Sequence, residues 1–215
     1  MKFIYLLAVA CLTFSSCNQT KEEKESTLDC VQTNKTVESI MNRRSIRSYQ
    51  SEQIKAEQLD TIIQCAINAP SAVNKQSWEV RVIQNPELLK TIDEGFIKYA
   101  KENNMYNSRI KDGFHVFYEA PTLIIVANDT TNSSSQVDCG LLGQNVLLAA
   151  ESMDIGTCVI GYLIAYLNSP EGREKIVPQF NLPSGYRPIY TISMGYKNER
   201  PDARARNQAK VQFIK

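Results

Sequence analysis

The run Leu123-Ile124-Ile125-Val126 sets apolar residues side by side with no polar residue between them. A strand wetted on one face alternates apolar and polar side chains, so an unbroken apolar strand needs cover on both faces. The segment therefore reads as a central strand, and the chain must supply helices to cover it. From Lys55 to Ala69, Leu59, Ile62, Ile63, Ala66 and Ile67 recur at helical spacing, and Pro70 follows as a stop. A longer helix is expected from Gln136 to Met153, where Leu141, Leu142, Val146, Leu148 and Ala149 give a broad apolar face.

Shorter elements fill the rest. A helix from Val37 to Asn42, with Thr36 as its N-cap, delivers Arg43 to Arg47 at its C-terminal edge, and another helix opens at Pro86 and reaches Tyr99. Trp78, Val80 and Val82 alternate with Glu79 and Arg81 as in a half-buried strand; Gly156 to Ile160 and Ile189 to Met194 read as further strands. Lys101 to Asp112 is expected to be a loop or a loosely helical lid, and Asn181 to Gly185 a loop. Helices alternating with strands predict three layers around one sheet, parallel or antiparallel. At 215 residues and 43% hydrophobic, the chain suits one globular domain.

The N-terminus stands apart. Lys2 followed by the apolar run Phe3 to Phe14 has the build of a signal peptide and is too short for a membrane span, which takes about 20 apolar residues. The run ends in Phe14-Ser15-Ser16-Cys17, which resembles the lipobox of bacterial lipoproteins with Phe14 in place of the usual aliphatic residue. On that resemblance residues 1–17 are a cleaved signal and Cys17 is lipidated, giving a membrane-anchored envelope protein, periplasmic or surface-facing; an ordinary signal peptide is the alternative. Residues 18–35 are polar and charged and read as a flexible tether, which leaves 36–215 as the folded domain. Of the 6 cysteines, Cys11 and Cys17 lie in the signal segment. Cys30, Cys65, Cys139 and Cys158 remain. Disulfides are permitted in an oxidising compartment, but three of these sit in apolar periodic stretches where a buried free thiol is expected.

Several chemistries lack their residues. His115 is the only histidine, so a histidine metal site or a Ser-His-Asp triad is hard to build, and His115 itself reads as a surface or lid residue. There is no Gly-x-Gly-x-x-Gly fingerprint and no P-loop. A formal net charge of +1 gives no global attraction to nucleic acid, so anion binding must come from local clusters.

Such clusters exist. Arg43-Arg44-Ser45-Ile46-Arg47 packs three guanidinium groups and a hydroxyl at a helix end, a planar fork of donors suited to a phosphate or an electron-rich ring edge. Arg204-Ala205-Arg206, after a strand and a turn containing Gly195 and Pro201, supplies a second pair. Solvated basic faces are the alternative for both. Pro70-Ser71-Ala72-Val73-Asn74-Lys75-Gln76-Ser77-Trp78 forms a turn studded with amide and hydroxyl groups.

In this order, from about Ile40 to Arg206, the stretches resemble the FMN-dependent nitroreductase family. Its members show an Arg-Arg-Ser-x-Arg motif, a Pro-Ser-x-x-Asn-x-Gln-Pro-Trp turn, and a long helix with an Asp-x-Gly start and a Gln-Asn pair, matched here by Asp138-Cys139-Gly140 and Gln144-Asn145. A Gly-x-x-Cys-x-Ile-Gly-like strand edge (Gly156 to Gly161) and a Gly195-Tyr196 turn also match. The resemblance implies an α+β three-layer α/β/α sandwich with a mostly antiparallel sheet, in an interlocked homodimer holding FMN at its interface. It also implies that Arg43, Arg44, Ser45 and Arg47 reach the phosphate and the pyrimidine edge, with Arg47 at N1/C2=O and Arg204 and Arg206 at the phosphate. The partner subunit would supply Pro70, Ser71, Ala72, Asn74 and Gln76, and the backbone of Ile160 or Gly161 would face flavin N5. No side-chain nucleophile is then needed: hydride passes through N5 in ping-pong fashion, from NAD(P)H or another donor, to a nitroaromatic, a quinone or a similar acceptor. Two departures bear on donor and substrate preference: Ile160 stands where some members carry glutamate, and Lys101 to Val116 offers no matching lysine. Ser77 also replaces the usual proline before the tryptophan. A flavin-binding envelope lipoprotein without NAD(P)H turnover is the alternative function.

Overall fold

The structure, a computed structural model, describes residues 34–215. The signal segment, Cys17, Cys30 and the tether up to residue 33 lie outside the described residues; Asn34 and Lys35, expected to end the tether, instead cap and open a helix. Four strands, β1 (Trp78–Ile83), β2 (Thr122–Asp129), β3 (Ile155–Ile160) and β4 (Tyr186–Tyr196), form one sheet in the order β1-β2-β4-β3, and every pairing is antiparallel. The expected central run is β2, buried along its length except at Asp129. Because side chains alternate along a strand, Leu123 and Ile125 enter one core and Ile124 and Val126 the other.

The helices that close those two cores follow from the sequence periods. On one face α2 (Ala56–Ile67) and α4 (Ser135–Ser152) bring Ile62, Ala66, Leu142 and Val146 against Ile124, Val126, Ile192 and Met194. On the other, α3 (Pro86–Glu102) brings Ile92 and Phe96 against Leu123, Ile125 and Ile160. The result is a three-layer α/β/α sandwich. Helix α4 crosses so close to β4 that a Cβ on Gly143 would collide with the Tyr190 phenol, which donates its hydrogen bond to the Cys139 carbonyl. Pro188 has no N–H to give to the ladder, and the β2–β4 register shifts beside it, between Val126 and Ala127.

Several expectations are corrected. Helix α1 (Lys35–Asn42) is capped by Asn34, whose side chain accepts from the N–H groups of Thr36 and Val37, so Thr36 is inside the helix and not its cap. Gly195 and Tyr196 continue β4 and do not form a turn; at Gly195 a Cβ would stand 2.8 Å from Pro121 Cδ, so the strand runs through where a larger residue would clash. Two short helices went unforeseen, α5 (Leu163–Leu167) and α6 (Pro170–Lys175), the first too short to show a period. The second does carry start signals: the Ser169 hydroxyl accepts the Gly172 N–H at 3.1 Å, and Pro170 occupies the first turn. Cys139 and Cys158 are buried free thiols as expected, but Cys65 is exposed, because it lies on the face of α2 turned away from the sheet. Residues 101–112 turn without forming a helix beyond Glu102, pinned by buried Ile110 and by Asn107, whose side chain accepts from the N–H groups of Arg109 and Ile110 at 2.8 and 3.0 Å. Among the described residues no helix is long and apolar enough to cross a membrane.

Candidate functional site

Arg43 ends α1, its N–H still bonded to the Ser39 carbonyl, and there the chain turns extended. Ser45 bridges Thr157 of β3 in parallel and Tyr49 bridges Lys197 beyond β4. Ile46 is buried against Gly156, where a Cβ would come within 3.0 Å of it. Alternation then sends Ser45 and Arg47 to the opposite side.

On that side a cavity of about 160 Å³ is lined by Arg43, Arg44, Ser45, Arg47, Pro201, Asp202, Arg204 and Arg206. The two arginine clusters, remote in sequence, thus meet. Five guanidinium groups stand near the carboxylates of Asp202 and Glu199, an excess of three positive charges. Their hydrogen bonds are local and weakly committed: Arg44 Nη1 donates to the Met41 carbonyl at 2.7 Å, Arg47 Nη1 to the Ser45 carbonyl at 3.2 Å, and Arg206 Nη1 to the Arg204 carbonyl at 2.7 Å. Arg47 Nε is buried and has no partner. An orphaned guanidinium N–H carries a desolvation penalty of about 1–3 kcal/mol or more, which an acceptor entering the site would relieve. A wider cavity of about 670 Å³ between Asn132, Arg187 and Tyr190 contains none of the expected site residues. Size alone does not select the site; convergent charge does.

Arg47 also lines a second cavity of about 280 Å³ with Ser48, Tyr49, Gly113, Phe114, His115, Tyr118 and Glu119. Its guanidinium carbon lies 5.9 Å from the centre of the Tyr118 ring, and the Tyr118 and Tyr162 hydroxyls are 2.8 Å apart. Tyr118 and Glu119 both adopt left-handed backbone, φ 60° and 55°, a conformation uncommon for such side chains and one that functional sites often hold. Burial pushes the Tyr162 and Tyr49 phenols far above their ordinary range, so both remain neutral. Tyr162 directly follows Gly161, so the phenol pair leads from the arginine pocket to the end of β3. Ile160 is fully buried, which leaves only its backbone to offer, and the space around Gly161 is open.

Burial also raises the Cys158 thiol, while Arg47, Ser45, Arg109 and Arg43 pull it the other way. Arg109 is exposed and lines neither cavity, but its charge reaches the same thiol. His115 is held by a carboxylate: its Nδ1 lies 2.6 Å from Asp93 Oδ2, and Asp93 Oδ1 also accepts the Val116 N–H at 2.7 Å.

Pro70, Ser71, Ala72, Asn74 and Gln76 do not line the arginine cavity of their own chain. They form an outward loop in which Val73, Asn74 and Gln76 have φ of 47°, 56° and 49°, and Val73 is 87% exposed. Asp138, at the start of α4, holds the loop: its Oδ1 accepts the Ala72 N–H at 3.1 Å, while its Oδ2 is buried without a partner. The Ser71 hydroxyl accepts the Gln76 N–H at 3.0 Å. Asn145 of the Gln-Asn pair donates to the Cys65 carbonyl at 2.9 Å and so ties α4 to α2.

Residues 40–196 match the profile of the nitroreductase family. The chain belongs to this family. A nitroreductase with bound FMN from Desulfitobacterium hafniense superposes with a TM-score of 0.79 at 30% identity, over 85% of this chain and 99% of that one. One from Bacteroides fragilis, also with bound FMN, gives 0.77 at 26% identity, over 85% of this chain and all of the other (100%). A Methanothermobacter thermautotrophicus protein provisionally named an NADH dehydrogenase/NAD(P)H nitroreductase is 32% identical over 172 residues, 78% of this chain and 80% of that protein. The nitroreductase fold of this chain accords with its antiparallel sheet and two helical layers.

Proposed function

We propose that the chain is an FMN-dependent oxidoreductase that takes electrons from a nicotinamide donor and passes them to small acceptors such as nitroaromatics or quinones. The observation that carries this is the convergence of Arg43, Arg44, Arg47, Arg204 and Arg206 on one small cavity with an unpaired buried Arg47 Nε. A phosphate monoester carries about two negative charges and three acceptor oxygens, which suits the excess of positive charge. Arg43, Arg44, Ser45, Arg204 and Arg206 would hold the phosphate. Arg47, shared with the second cavity, would donate to the pyrimidine edge; a cation there stabilises the reduced flavin. The backbone of Ile160 and Gly161 would flank N5. FMN, when bound, supplies the two-electron chemistry, and the protein side chains supply binding, orientation and charge.

The loop over 70–76 does not line the arginine cavity of its own chain. We propose that a second copy completes the site by presenting Pro70, Ser71, Ala72, Asn74 and Gln76. The exposed apolar residues of the tail, Val211, Phe213 and Ile214 at 66%, 84% and 92% exposure, support a homodimer, since such residues favour burial against a partner. Export and anchoring through Cys17 in the cell envelope are proposed on the sequence pattern alone. The function is tested by mixing FMN-loaded protein anaerobically with NADH or NADPH. Bleaching of the flavin absorbance, and its return on adding a quinone, is expected; no bleaching with either donor rejects nicotinamide turnover and leaves a flavin binder.

A further inference from the structure

Between the Ser45 and Tyr49 bridges, the extended segment crosses from β3 to the chain beyond β4. Ile46 N–H is taken by the Thr157 carbonyl at 2.9 Å, and Gln50 N–H by the Tyr196 carbonyl at 2.9 Å. Between those two bonds the Arg47 N–H is met by a side chain, Glu199, in a close hydrogen bond to its carboxylate. Glu199 is half-buried and, among the described residues, makes no ion pair, although five guanidinium groups lie in the neighbouring pocket. Its carboxylate grips the backbone of Arg47 and leaves the guanidinium free to rest on Tyr118 and face the cavity. The segment that carries Glu199 is itself fixed, since Lys197 pairs with Glu151 and Asp154, both at 3.0 Å. The negative charge reaches the site as well, because it favours the protonated forms of Arg47 and Tyr49.

We infer that Glu199 is a positioning residue with two separable effects: its hydrogen bond fixes Arg47 for FMN, and its charge tempers the positive field at the flavin. The inference rests on the FMN reading of the site. Glu199→Gln keeps an acceptor for the Arg47 N–H and removes the charge; Glu199→Ala removes both. FMN affinity and the flavin midpoint potential are measured for each homodimeric holoprotein. Glu199→Ala is expected to weaken FMN binding about tenfold, with Glu199→Gln restoring most of the affinity. Glu199→Gln is expected to favour reduced over oxidised FMN by about tenfold, a rise of about 30 mV for a two-electron couple. Equal losses in both variants, or an unchanged potential in Glu199→Gln, overturn the inference while leaving FMN binding intact. If Glu199→Ala does not fold, the potential of Glu199→Gln decides alone. Wild-type protein that binds no FMN overturns the reading beneath it and the inference together.

Discussion

Replacing Arg204 and Arg206 together by alanine isolates the phosphate grip from the fold. Both lie in the exposed C-terminal stretch; Arg206 reaches only its neighbours' carbonyls, Arg204 at 2.7 Å and Ala205 at 3.5 Å. Surface changes of this kind alter stability by about 0.5 kcal/mol or less, so the unfolding midpoint of the apoprotein should not move. Binding is another matter. A hydrogen bond to a charged group is worth about 1.5–3 kcal/mol, and exposure places these two at the low end, about 1.5 kcal/mol each. If the losses add, the pair costs about 3 kcal/mol, or about 150-fold in Kd, and coupling between neighbours would change that figure by a few-fold. The assay is quenching of FMN fluorescence by apoprotein, run beside riboflavin, which has the same ring and no phosphate. FMN affinity should collapse and riboflavin affinity should stay within about threefold. FMN affinity that stays within threefold, or a riboflavin loss equal to that of FMN, would refute the assignment of these arginines to the phosphate.

Further tests address the scaffold and the anchor. Asp138→Ala frees the Ala72 N–H and should loosen the loop over 70–76, read as faster amide exchange there and weaker FMN binding, by about 1–3 kcal/mol. Lys197→Met leaves the nearly buried Glu151 without its partner and should lower stability by about 3 kcal/mol in urea unfolding; an unchanged midpoint would count against the pair as a support of the Glu199 segment. Asp154 is held below its ordinary 3.8 first by the Lys197 hydrogen bond, with burial opposing, so its contribution is present above the unfolded value and lost as pH falls through the lower folded one. Asp154→Asn should therefore cost stability at neutral pH, with the gap to wild type closing in strong acid. Cys17→Ala should abolish radiolabelled palmitate incorporation, and equal labelling of both proteins would exclude lipidation at Cys17.

Much of the fold was legible because its periods are long, although Ile67 and Leu141, expected on apolar faces, are exposed. The unbroken run at Leu123 to Val126 is the two-faced central strand, and the repeats in 55–69 and 136–153 are α2 and α4, which cover one of those faces. Sheet direction could not be read from pattern, since antiparallel pairing here joins strands through long helical connections that a parallel sheet also uses. Short helices escape periodicity, as α5 shows. In the site, Arg43 to Arg47 and Arg204 to Arg206 stand out as clusters, but their meeting in one cavity is a tertiary fact. Glu199 was invisible for the same reason: it is a lone charged residue whose role comes from the Arg47 backbone that folds against it. Cys65 was misplaced because a helix of mixed composition leaves some small apolar residues on its outer face.

The central claim is that the arginine pocket holds FMN, and the flavin content of the purified protein tests it most directly. The visible absorbance of the protein, before and after incubation with FMN and gel filtration, should show a bound flavin approaching one per chain. A colourless protein that also fails to retain added FMN would contradict it.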